Sequence, residues 1–242
     1  MNARQWDVYR RLLPDVDVRT PDLPGHGSRV GEPFTREAAV ATVAAEVVGA
    51  APGQPVVLAG HSLGGYVAAL YAAAHPGAVD RLVLVGASAD PASRLTAVYE
   101  AFAAVLPRVG AARMARGVNA VMRLLGARGE MAAALPDGEA YAALPAAWRL
   151  VIDECGPHLL EGVGCPVVLV NGQLDQMRLH VRRFAAAAGP GTEAVLIPRA
   201  THLLPSTHVP QLAGVLREAV AATVQAGSSR SAYDGGRDHL DS

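Results

Sequence analysis

Short apolar runs and longer segments with helical spacing alternate along the chain. Val56 to Ala59, Arg81 to Gly86, Pro166 to Gly172 and Glu193 to Ile197 read as strands, and the first three lack the polar alternation of a half-exposed strand. Such runs suit strands covered on both faces. Val16 to Thr20 alternates apolar and charged residues and predicts one more strand. Helices are predicted from Gln5 to Leu13, with Trp6, Tyr9, Leu12 and Leu13 on one face, and from Glu37 to Val48, capped by Thr35. Further helices are expected over Leu63 to Ala74, Arg178 to Ala188 and Val209 to Val224. This order predicts an α/β fold whose mostly parallel sheet, of about five strands, is covered by helices.

Two segments break the rhythm. Asp90 to Leu160 holds helical patches and no convincing strand, with breaks near Pro107-Arg108, Gly126 to Gly129 and Pro136 to Gly138. It is expected to be a helical insertion. Gly227 to Ser242 is polar and rich in Ser, Gly and Asp, and is expected to be a disordered tail. The expected organisation is a core of residues 1–89 and 161–226, a helical cap of residues 90–160 and the tail 227–242.

Composition narrows the function classes. A net charge of −1 and a pI near 6.7 give no reason to expect a nucleic-acid partner. All 21 basic residues are arginine, which reads as coding bias. Cys155 and Cys165 are too few for a disulfide framework or a zinc site, so no metal or cofactor is expected. The first residues do not resemble a signal peptide, and no apolar run approaches the roughly 18 residues of a membrane span. A cytoplasmic protein is the expectation.

The chemistry centres on Gly60-His61-Ser62-Leu63-Gly64, between a buried strand and an Ala-rich helix. A strand that turns sharply into a helix puts the corner residue in a strained conformation, and Gly60 and Gly64 are expected to relieve crowding around it. Ser62 then projects at the strand end as a candidate nucleophile, and the Leu63 N–H becomes a candidate oxyanion donor. His61 flanks the site and is a candidate for lining it or binding substrate. A serine hydroxyl needs a base, and the base an orienting carboxylate. Asp175 follows the strand ending near Gly172, where open α/β sheets place ligands, and Asp90 is the rival acid. His202 follows the last strand and is the candidate base, with His208 as runner-up; His26 is a further candidate for lining the site.

These motifs together resemble the α/β-hydrolase superfamily, of the type that carries a helical cap. Asp22-Leu23-Pro24-Gly25-His26-Gly27-Ser28 is similar to that family's loop after its fourth strand, and Gly60 to Gly65 to its nucleophile elbow. Asn171 to Asp175 and Thr201-His202 resemble its acid and base segments. The resemblance implies a Ser62–His202–Asp175 triad; a serine at the elbow argues against the dehalogenase and epoxide hydrolase branches. It also implies three further strands and a His-Gly oxyanion loop ahead of the first helix, which this sequence does not show. A start upstream of Met1 is therefore expected, as is slower turnover than in an extended chain.

The leading expectation is a serine hydrolase that cleaves an ester, thioester or related acyl substrate through an acyl-enzyme. Its partner would be a small, apolar acyl molecule. Two alternatives remain open at the level of sequence. One is cofactor-free oxidation or peroxidation on the same triad, and the other is a binding protein impaired by the missing oxyanion loop.

Overall fold

The structure is a computed structural model that describes residues 2–91, 110–124 and 142–235. A 3₁₀ turn, Ala3–Trp6, leads into α1 (Asp7–Leu12). Next come α2 (Arg36–Val48), β1 (Val57–His61), α3 (Leu63–Ala74) and β2 (Arg81–Val85). The insertion contributes α4 (Ala111–Leu124), α5 (Leu144–Glu154) and a 3₁₀ turn, Pro157–Gly162. The chain continues as β3 (Val167–Gly172), α6 (Val181–Ala188), β4 (Glu193–Ile197), the one-turn α7 (Leu204–Thr207) and α8 (Val209–Gly235). Thr35 caps α2 as expected, its Oγ1 accepting the Ala38 N–H at 3.1 Å.

Among the described residues the sheet has four strands, all parallel, in the order β1-β2-β3-β4. Successive residues of β2 and β3 face opposite ways, and both faces are apolar. Leu82, Leu84, Val167 and Leu169 join the core under α2 and α3. Val83, Val85, Val168 and Val170 join Tyr9, Leu13, Leu212 and Leu216 under α1 and α8. Two covered faces account for the continuous apolar runs. Tyr9 is fully buried, and its hydroxyl donates to the Pro205 carbonyl at 2.7 Å, tying α1 to the segment after β4.

Three expectations need correction or limits. Val16 to Thr20 forms no strand. It and β1 both line one cavity, and among the described residues β1 has a ladder with β2 alone. The tail from Gly227 is helical as far as Gly235, as a continuation of α8; no proline interrupts it, and Ser228 Oγ bonds the Val224 carbonyl at 3.1 Å within the helix. Residues 236–242 lie outside the described residues. Of the span 90–160, the described elements are α4, α5 and the 3₁₀ turn from Pro157, with no strand among the described residues, whereas 92–109 and 125–141, with the breaks expected there, lie outside them. Among the described residues, no helix is long and apolar enough to cross a membrane.

Candidate active site

β1 ends at His61 and α3 begins at Leu63, so the chain reverses within a single residue. Ser62 absorbs the reversal at φ 54° and ψ −121°. Such a conformation costs on the order of 1–3 kcal/mol and persists only where surrounding contacts fix it. Here the Ser62 N–H donates to Val85 O at 2.9 Å, and Ser62 O accepts from the N–H groups of Gly65 and Tyr66.

The glycines divide the work differently from the sequence expectation. A Cβ on Gly60 would sit 2.3 Å from the Gly64 carbonyl oxygen, and one on Gly65 would sit 2.5 Å from the Ala87 Cβ. A Cβ on Gly64 would meet nothing within 4 Å. The crowding therefore falls on Gly60 and Gly65, while Gly64 borders open cavity.

The loops after β3 and β4 are tied together by their backbones. Gln173 N donates to Ile197 O at 2.9 Å, and Leu174 N to Ala200 O at 2.8 Å. Gly172 permits this approach, since a Cβ there would lie 2.4 Å from Ala200 O. Arg199 turns the second loop at φ 58°, its N–H held by Gln173 Oε1 at 2.9 Å.

This arrangement brings Asp175 against His202. His202 Nδ1 lies 3.0 Å from Asp175 Oδ2 and 3.2 Å from Oδ1, and His202 Nε2 lies 3.0 Å from Ser62 Oγ. A carboxylate only accepts, so Nδ1 carries the ring hydrogen and Nε2 is left bare toward the serine. The Asp175 side chain is fully buried, and its Oδ1 also accepts the Met177 N–H at 2.9 Å. Together these contacts can move a proton from Ser62 to His202 while Asp175 steadies the charged ring.

Asp90, the rival acid, is engaged elsewhere. Its carboxylate is ion-paired with Arg183, and its N–H donates to His180 Nδ1 at 2.9 Å. His208 turns to Thr207 Oγ1, 2.9 Å away.

His61 is buried, and its Nε2 donates to the main-chain carbonyl of His202 at 2.9 Å. That nitrogen is thus engaged by the backbone, while His61 lines the cavity with Ser62 as expected. Burial, and then the neighbouring His202, hold the His61 pKa well below the usual 6.5. Leu63 opens α3, so its N–H is among those that a helix leaves without an internal partner. His26 donates from Nδ1 to Pro24 O at 2.9 Å, and burial lowers its pKa.

Sequence reasoning missed the residues behind the Asp175–His202 pair. Gly86 has φ +55°, and a Cβ there would lie 3.0 Å from Asp175 Oδ2 and 3.1 Å from His202 Nδ1. Ser88 Oγ donates to Asn171 Oδ1 at 2.9 Å, which joins the ends of β2 and β3 beneath the acid. The available signal was position: each sits at or just past a strand's C-terminal end.

The site opens into a cavity of about 1050 Å³. Ser62, Leu63 and His202 line it, as do His61 and Leu144, Ala147 and Trp148 of α5.

A family model described as the alpha/beta hydrolase family matches residues 1–215. A pimeloyl-[acyl-carrier protein] methyl ester esterase of Neisseria meningitidis serogroup A is 30% identical, over 93% of this chain and 78% of that protein. Lipase LipV of Mycobacterium tuberculosis is 42% identical over a shorter stretch, 39% of this chain and 34% of the lipase. Among solved structures, a thermophilic esterase from Thermogutta terrifontis superposes with a TM-score of 0.71 at 23% identity, covering 92% of this chain and 86% of that one. A protein described as a non-heme bromoperoxidase, BpoC of Mycobacterium tuberculosis, gives 0.72 at 20% identity, covering 92% and 89%. At those identities the two structures speak for the fold alone. On the match across its length and on its sheet and elbow, the chain belongs to the alpha/beta hydrolase family.

Proposed function

We propose that this hydrolase is a serine esterase whose nucleophile, base and acid are Ser62, His202 and Asp175. The observation that carries the reading is the continuous contact from Ser62 Oγ through the His202 ring to the buried Asp175 carboxylate, at the mouth of a cavity. Ser62 Oγ attacks the ester carbonyl as its proton passes to His202 Nε2. The Leu63 N–H meets the developing oxyanion, a contact typically worth about 2.7–4 kcal/mol. His202 returns the proton to the departing alkoxide, leaving an acyl group on Ser62. Water, deprotonated by His202, then attacks the acyl carbonyl, and the acid leaves as Ser62 recovers its proton.

The substrate proposed is a methyl or other small ester of an aliphatic acyl group. The curated relatives' name, a methyl ester esterase, supports that class, as do the apolar α5 side chains over the serine. Within the span 90–160 taken as the cap, α5 is the described helix whose residues line the cavity with Ser62.

The test is labelling with a fluorophosphonate probe, alongside hydrolysis of a short p-nitrophenyl ester and of dimethyl pimelate. Labelling is expected at Ser62, with loss of labelling and turnover in S62A. A folded chain that hydrolyses the ester equally well as S62A would overturn the reading.

A further inference from the structure

His202 stands on a loop, and a loop is a poor place from which to hold a ring to within a few tenths of an ångström. Three observations single out the residue that does it. His61 Nε2 lies 2.9 Å from the His202 carbonyl oxygen, a bond that spans 141 positions of sequence. The two imidazole rings lie 4.8 Å apart at a tilt of 37°. His61 itself is only 6% exposed and is the last residue of β1, in register with Val85 of β2. It therefore cannot drift, and it immediately precedes Ser62.

We propose that His61 is a positioning residue for the general base: its Nε2–H holds the His202 main chain, and its ring backs the His202 imidazole. Base and nucleophile then hang from one anchor, the end of β1, and the distance between Ser62 Oγ and His202 Nε2 is set locally rather than by the path of the β4 loop. This inference rests on the assignment of His202 as base.

The anchor must also stay neutral. His202 becomes a cation in each proton transfer, and a second cation against its ring would oppose that step. The charges acting on His61 are those of His202 and the chain's amino terminus; both act against its protonation, as does burial, while its bond to His202 O acts for it. A neutral His61 keeps its one N–H on Nε2, where the carbonyl needs it.

The experiment compares S62A, H61L, H61Q and H61N with the parent chain, using melting temperature, kcat and KM on a short p-nitrophenyl ester, and the rate of fluorophosphonate inactivation. H61L loses the donor, and kcat is expected to fall about 10- to 100-fold, the scale at which a catalytic group is misplaced by up to 1 Å. KM should hold within about twofold, and inactivation should slow in parallel with kcat. H61Q, an uncharged donor of similar reach, should recover most of the loss. H61N, one carbon shorter, should not. If H61L does not fold, the contrast between H61Q and H61N decides the question. Across the acid limb, kcat/KM of the parent and of H61Q should fall with the same shape. H61L with parental kcat, H61Q no better than H61N, or a second protonation absent from H61Q would each overturn the proposal while the base assignment stands. Full activity in S62A would instead remove that assignment, and this inference with it.

Discussion

Replacing Gly86 by alanine attacks the Asp175–His202 contact without altering either residue. The new Cβ would stand 3.0 Å from Asp175 Oδ2, 3.1 Å from His202 Nδ1 and 3.2 Å from His202 Cε1. Those distances are a few tenths of an ångström inside ordinary contact, so one partner must yield. Asp175 cannot, since its side chain is fully buried and held by Met177 N as well. His202 is 23% exposed and is the side that moves. Its ring shifts toward the cavity, lengthening the bond to Asp175 and changing its angle to Ser62 Oγ. A shift of that size should lower kcat about tenfold, below the roughly 10²-fold associated with a full ångström. KM should change little, because Gly86 lies behind the pair and not among the residues lining the cavity. The backbone adds its own effect: alanine at φ +55° costs about 1–2 kcal/mol. In a chain of this length, each kcal/mol lowers Tm by about 2–4 °C, so a drop of about 2–8 °C is expected. Thermal melts and steady-state hydrolysis of a short p-nitrophenyl ester read both numbers. A folded G86A with kcat within twofold of the parent would falsify the claim that this glycine makes room for the pair.

Two other predictions concern the elbow and pH. G60A must displace the Gly64 carbonyl and should destabilise by about 3 kcal/mol, whereas G64A meets nothing and should leave Tm level or slightly higher; denaturant melts giving equal stabilities would refute this division of labour. His61 and His26 both have pKa values lowered by burial, so as pH falls through 6.5 the unfolded chain takes up protons that the folded chain refuses. Their stabilising effect is complete above 6.5 and is lost below it, at up to about 1.4 kcal/mol per pH unit for each group. Urea melts between pH 8 and pH 5 should show this decline, with a shallower one in H61Q; a flat profile would contradict the lowered pKa of both rings.

The four strands β1 to β4 and the convergence of Ser62, Asp175 and His202 were legible because each carries its own local signature. β2 and β3 have two covered faces, and an apolar run of that length between turn residues has few other readings. Ser62 is marked by the strand before it and the glycines around it. Asp175 and His202 are marked by their places directly after strands, where the topology collects polar side chains. None of that needs knowledge of a distant contact. The role of Gly86 does, because its neighbours come from loops far along the chain, and the sequence shows only a glycine at a strand end. His61 is a similar case. Its place beside Ser62 suggested a residue lining the cavity, which it is, but nothing local shows that its Nε2 reaches a carbonyl 141 positions away.

Val16 to Thr20 shows the same limit from the other side. Its alternation of valine with charged residues is what a half-covered strand requires, and Val16 and Val18 do pack against the core beside Tyr9 and Leu13. Apolar burial is satisfied one residue in two, so the periodicity was read correctly. A strand, however, is defined by pairing as well as by periodicity. Its N–H and C=O groups must find a neighbour about 4.7–4.9 Å away. Here both this segment and β1 line the cavity, and no ladder joins them. The alternation records which side chains turn inward and carries no information about what lies beside the backbone. In β1 the inner edge pairs fully with β2, from Val57 with Arg81 to His61 with Val85, while the outer edge borders the cavity. That one-sided support acts at the elbow, where the Ser62 N–H bonds Val85 O of β2 and the Gly60 approach to Gly64 lies within the turn. Ser62 is thus held by contacts to β2 and within its own turn.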